Sequence, residues 1–146
     1  MKIYMDLCCY NRPFDDLSQD RVYFEAEAVL SIIKRCKNSG WILVSSAVID
    51  IESTKQKDLD KLKKVQGIYK AAREHFPLTK QAEERAAFFQ LNGIKRFDSF
   101  HLAVAEINKA DIFLTTDDRL LKAAKRLDLG IKASNPLAWL LEEEKG

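Results

Sequence analysis

The chain's 146 residues are 47% hydrophobic and 32% charged, enough for one core and a wet surface, which excludes disorder and points to a single domain over 1–146. No apolar run approaches the ~20 residues of a membrane helix, and the chain opens on strand-like residues instead of a basic n-region, so a cytoplasmic protein with no membrane partner is expected. The formal net charge of +2 is too small to announce nucleic acid; such a partner would need local positive charge or a bound cation.

The first element is a short buried strand, Ile3, Tyr4 and Met5, ended by Asp6. From Ser18 to Lys37 the spacing of Val22, Ala26, Val29, Ile33 and Cys36 predicts an amphipathic helix, stopped at Asn38, Ser39 and Gly40. Trp41 to Ser45 reads as a second strand, and Ser46 as the cap of a short helix carrying Asp50 and Glu52. A third helix begins near Asp58 with Leu59, Leu62, Val65, Tyr69 and Ala72 on its apolar face. Thr79 caps the next helix, which Gly93 ends. The segment from Phe97 to Ala110 is apolar on most sides and reads as a central buried helix, with Asp98 at its start. Ile112 to Thr115 is a third strand; Thr116, Asp117 and Asp118 then cap and charge the turn of a helix through Leu120, Leu121 and Ala124. Gly130 to Ala133 forms a fourth strand, and Asn135 with Pro136 starts a last helix. Short apolar strands alternating with helices predict an α/β fold: a parallel sheet of about four strands, covered by helices on both faces.

Cys8, Cys9 and Cys36 are an odd number without CxxC spacing, which argues against a disulfide framework or zinc site and for small buried residues in a reducing compartment. The chemistry is carried by acids. In open α/β sheets the site lies beyond the carboxyl ends of the strands, where Asp6 and Asp117 sit; Glu52 lies about a helical turn beyond the second strand, and Asp98 opens the buried helix. Taken singly, each reads as a cap or surface charge. Carboxylates gathered in one crevice repel one another, so protons or cations must neutralise them. Oxygen ligands without His or Cys favour magnesium or manganese. Asp50 rivals Glu52, and i, i+2 neighbours on a helix face different ways, so one of the two reaches the site; Asp118 rivals Asp117 in the same manner.

Five stretches carry a resemblance: MKIYMDLCCYNRPFDD (1–16), LVSSAVIDIE (43–52), GIKRFDSFHLAVAE (93–106), IFLTTDDRLL (112–121) and SNPLAWL (134–140). In this order, and over nearly the whole chain, they resemble the PIN domains, and within them the VapC-like ribonucleases of toxin–antitoxin modules. The resemblance implies a PIN-like three-layer fold, with Asp6, Glu52, Asp98 and Asp117 as an acidic quartet that is both catalytic and metal-binding. It also implies bound Mg2+ or Mn2+ that activates water to cleave an RNA phosphodiester, a cognate antitoxin protein covering the cleft, and a homodimer. It selects Glu52 over Asp50. Cys8 departs from the pattern, standing where the family often has a hydroxyl.

Secondary roles are open at this level. Thr116 serves either to orient a metal-bound water or to cap a helix. His101, three residues after Asp98, reads as a buried, hydrogen-bonded histidine ahead of a catalytic one. Asn11 and Arg12 either position phosphate or form the turn before Pro13. Lys55, Lys57, Lys61, Lys63 and Lys64 either track an RNA backbone or form a solvated face. Phe14, Tyr23, Phe24 and Tyr69 either form a partner surface or, as is commoner for aromatic residues at helical spacing, belong to the core. Three rivals are weaker. A receiver-type phosphoacceptor would have Lys132 on the last strand but lacks an Asp after Trp41 to Ser45; a haloacid-dehalogenase-like phosphatase would need an acid at position 8; a non-catalytic PIN-fold interaction module would have no need of four acids.

Overall fold

The protein's structure, a computed structural model, describes residues 1–145. Strand β1 (Lys2–Met5) leads into helix α1 (Leu7–Asn11), a 3-10 turn at Arg12–Phe14 and the long helix α2 (Asp20–Asn38). Strand β2 (Ile42–Ser46) is followed by α3 (Ala47–Ser53), α4 (Leu59–Tyr69), β3 (Glu74–Phe76), α5 (Lys80–Leu91) and α6 (Arg96–Ile107). Strand β4 (Ile112–Leu114), α7 (Asp118–Lys125), β5 (Lys132–Ser134) and α8 (Pro136–Lys145) complete the order. No helix among the described residues is long and apolar enough to cross a membrane.

The sheet is entirely parallel in the order β3-β2-β1-β4-β5. Its central strand β1 is buried at Ile3, Tyr4 and Met5, as expected of a strand covered on both faces. Tyr4 points to one face, stacking between Phe76 and Phe113 at 6.3 and 5.6 Å and reaching α6. Leu43 points to the other, toward Ile33 and Cys36 of α2, because successive strand residues alternate in direction. Helices α5 and α6 pack together on the first side, and α2 with α8 on the second. Trp41 and Trp139 meet there at 5.1 Å between ring centroids.

The expected α/β architecture is present with five strands instead of about four. The additional strand, β3, has no apolar run of its own; it is defined by parallel pairing of Val44 with Glu74 and Ser46 with Phe76. The helix expected through Ala72 ends at Tyr69 to make room for it. Other boundaries move by one to three residues: the strand read at Gly130 to Ala133 lies at Lys132–Ser134, and the helix read at Phe97 to Ala110 lies at Arg96–Ile107. Ser46, Asp58, Thr79 and Asn135 all accept the backbone hydrogen bonds of helix caps.

The strand order sets the position of the crevice. From β1 the chain moves outward through β2 to β3, then crosses to the opposite side of β1 for β4 and β5. The loops leaving β1 and β4 therefore diverge at a topological switch point, where open α/β sheets bind ligands.

Candidate active site

Asp6 occupies that switch point. Its backbone N–H donates to Leu114 O at 3.1 Å, tying it to the end of β4, and its carboxylate caps α1 by accepting from Cys9 N at 3.3 Å. It is 3% exposed, and burial, reinforced by Cys8, holds its pKa well above the usual carboxylate range. The Cys8 thiol donates to Asp6 Oδ1 at 2.7 Å. Thr116 in turn donates to Cys8 Sγ through its hydroxyl at 3.1 Å and its backbone N–H at 3.4 Å. The thiol thus joins the β1 and β4 loops. Thr116 does not cap α7, a role taken by Asp117; its hydroxyl gives its proton to sulfur and keeps its oxygen as an acceptor.

Glu52 and Asp50 separate as i, i+2 geometry requires. The Asp50 carboxylate pairs with His75 Nε2 at 2.8 Å on the outer edge of the sheet. Glu52 Oε1 meets His101 Nε2, also at 2.8 Å. A carboxylate can only accept, so Nε2 carries the proton. Nδ1 of His101 lies 2.7 Å from the Tyr4 hydroxyl, which is itself 2.7 Å from Ser46 Oγ. Hydroxyls donate or accept, so this buried chain satisfies the ring in either protonation state. His101 is a positioning residue: a buried, fully bonded histidine that orients Glu52.

Asp98 lies in the first turn of α6 and lines a cavity of ≈ 210 Å³ with Asp117, Lys95 and Arg119. Its carboxyl is pushed up to about 6, first by burial and then by the negative charges of Asp6 and Asp117, with a smaller push from Glu52. Asp117 is the N-cap of α7, its Oδ1 accepting from Arg119 N at 2.9 Å and Leu120 N at 3.3 Å. Asp118 turns away to Arg21, which grips both its oxygens at 2.8 Å.

Asp6, Glu52, Asp98 and Asp117 therefore share one electrostatic neighbourhood, and both rival acids have partners elsewhere. Among the described residues, the three candidate ligand side chains whose donor atoms all lie within 4.8 Å of one another are Asp6, Cys8 and Cys9. Cys9 suits a metal poorly: it is buried, donates to Leu114 O at 3.4 Å, and burial raises its pKa. Among the described residues, no three of the four acids bring ligand atoms within 4.8 Å of one another. Their donor set, all hard oxygen around a crowded negative centre, fits a hard divalent cation.

No family model matches the chain, and no curated protein sequence matches it. Solved structures do. The chain is similar to one in the structure of VapBC2 from Rickettsia felis bound to a DNA fragment from their promoter, with a TM-score of 0.66 and 10% identity, covering 92% of this chain and 98% of that one. It is also similar to a chain of VapBC-1 from nontypeable Haemophilus influenzae, with a TM-score of 0.59 and 13% identity over 93% of this chain and 98% of that one. The fold is the PIN fold that these chains share.

Several features of this chain lie outside what residue order discloses. Arg12 is not available to position phosphate: its guanidinium is locked on Glu25 at 2.8 Å and Asp15 at 3.1 Å. Glu25, a buried acid in the second turn of α2, is held in addition by Arg21 and by the Asn135 amide at 2.6 Å. Tyr69 is core, stacked edge-on against Tyr10 and bonded to Ser53, whereas Tyr23 and Phe24 are exposed. Lys61 is paired with Asp15 at 3.1 Å, and Lys55 stands 4.4 Å over the Phe97 ring. The Tyr4–His101 bond had one available sign, the i, i+3 spacing of Asp98 and His101, which places the ring beside the acids.

Proposed function

We propose that the protein is a divalent-metal-dependent endoribonuclease of the VapC-like toxin type, using Asp6, Glu52, Asp98 and Asp117 to hold Mg2+ or Mn2+ against an RNA phosphodiester. The observation that carries this reading is the charge gathered around Asp98, whose carboxyl is pushed up to about 6 first by burial, then by repulsion from Asp6 and Asp117, and less from Glu52. A bound cation relieves that repulsion, and it supplies activation of water and offsets charge on phosphoryl oxygens.

The chain's own side chains divide the remaining work. His101 fixes one oxygen of Glu52, leaving the other to orient water and accept its proton. Lys95 and Arg119, beside Asp98 and Asp117, steer the phosphate into a cleft that its own acids would otherwise repel. A cognate antitoxin covering this cleft is supported by likeness to VapBC assemblies. The exposed Tyr23 and Phe24 pair on α2 is the natural surface for that partner or for a homodimer.

The test is cleavage of total RNA with Mn2+ or Mg2+, with a chelator control, by the wild type, Asp6→Asn and Asp98→Asn. Both variants are expected to be inactive while still folded by circular dichroism. Undiminished cutting by both variants, or cutting that survives the chelator, overturns the assignment.

A further inference from the structure

A second cavity, of ≈ 340 Å³, opens beside the acids, with Cys8 and Glu52 in its wall. Its size falls in the ~300–1,000 Å³ range of small-ligand sites. Three elements build it, each one short step from the candidate centre. Leu7 and Asn11 come from α1, directly after Asp6; Lys55 and Gln56 come from the turn that ends α3, directly after Glu52; Leu62 and Val65 face them from α4.

The lining combines the apolar Leu7, Leu62 and Val65 with the polar Asn11, Ser53 and Gln56. The Asn11 side chain makes no capping hydrogen bond, and its amide offers a donor and an acceptor side by side. Gln56 uses its oxygen to accept from Asp58 N at 3.1 Å, which leaves its NH2 group as a donor. The Lys55 ammonium stands outside the apolar part, over Phe97.

We infer that this cavity is a nucleobase subsite, receiving one unpaired base adjacent to the scissile phosphate and reading its edge through Asn11 and Gln56. The inference rests on the ribonuclease reading and deepens it. A phosphodiester placed at the acids has a flanking base within one nucleotide's reach of Cys8 and Glu52, and this is the concave surface there. A flat heteroaromatic ring sandwiched between aliphatic side chains loses little, since extruded bases are held between apolar groups and recognised by hydrogen bonds to their edges. Amide side chains match base edges because both present donors and acceptors in fixed pairs. Lys55 lies where the backbone phosphate of that nucleotide would pass.

The experiment starts from a single-stranded RNA oligonucleotide whose cut site has been mapped with Mn2+. Two further oligonucleotides carry an abasic nucleotide on either side of that site. Against these, the wild type is compared with Leu62→Trp, which fills the half-buried side of the cavity, and with Asn11→Ala, a partly exposed change that leaves the core untouched. Mn2+ binding is followed separately by calorimetry.

For the wild type, one abasic substitution is expected to lower kcat/KM by about tenfold or more, the scale of one lost base contact. Leu62→Trp should lose a similar factor on the intact oligonucleotide, show no further loss on the abasic one, and bind Mn2+ as the wild type does. Asn11→Ala should change which base is preferred beside the cut. Cleavage insensitive to both abasic positions overturns the subsite, as does wild-type kcat/KM in both variants, the result expected if a protein partner seats there instead. An oligonucleotide left intact by Mn2+-loaded wild type would overturn the ribonuclease reading itself, and the subsite with it.

Discussion

The Tyr4 phenol lies between Ser46 and His101 with all three side chains buried, so deleting one oxygen strands two other polar groups. Tyr4→Phe is expected to cost about 1–3 kcal/mol in urea unfolding and to lower cleavage further by loosening the Glu52 carboxylate. A variant as stable as the wild type would show that the relay is not closed. Asp98 gives the opposite sign. Its carboxyl moves from 3.8 to about 6 on folding, so the folded chain binds its proton more tightly than the unfolded one. That contribution is full below 3.8 and is lost as pH rises through about 6. Above that, the ionised form destabilises the metal-free protein, by roughly 1–2 kcal/mol once solvent screening of this partly exposed group is allowed for. Metal-free Asp98→Asn should therefore melt higher than the wild type at neutral pH, with the difference vanishing under acid conditions. The acids themselves were legible because Asp6 and Asp117 follow strands. The relay was not, since its bonds join positions 97 and 49 residues apart.

Helix caps belong to the element scale, and they were the most readable features of the chain. Ser46, Thr79 and Asn135 act on N–H groups two or three residues away, so their chemistry is local and their context is adjacent in sequence. Strand β3 is the counterexample. Glu74, His75 and Phe76 show no strand pattern, and their conformation comes from docking beside β2. Asp117 shows how an element can conceal a candidate site residue, because capping alone accounts for its presence. Two substitutions separate its duties. Asn caps as well as Asp, so Asp117→Asn should hold stability within about 0.5 kcal/mol while abolishing cleavage and weakening Mn2+ binding. Asp117→Ala should lose cleavage and a further ~1 kcal/mol of stability from the missing cap. Full activity in Asp117→Asn would reduce the residue to a cap.

At the scale of the whole molecule, the sheet order explains why Asp6 and Asp117, distant in sequence, follow the adjacent ends of β1 and β4 at one switch point. The alternation of strands and helices made this architecture legible before any contact was known. A cation that binds the folded crevice and not the open chain must stabilise the protein. At free Mn2+ about 100 times its Kd, the gain is ~2.7 kcal/mol. Melting in Mn2+ against chelator should show that shift for the wild type and not for Asp6→Asn; equal shifts in both would place the ion elsewhere.

The central position of the first strand has a consequence for synthesis. Lys2 N meets Asp111 across 109 residues, and Ile3 pairs with Ile112, so β1 lies between two neighbours of which one is translated very late. Contacts this non-local form slowly and only after their far partner exists. A ribosome translating this message holds a chain in which Asp6 is already made but β4 is not, so the candidate site takes shape only after Ile112–Leu114 has emerged to pair with β1.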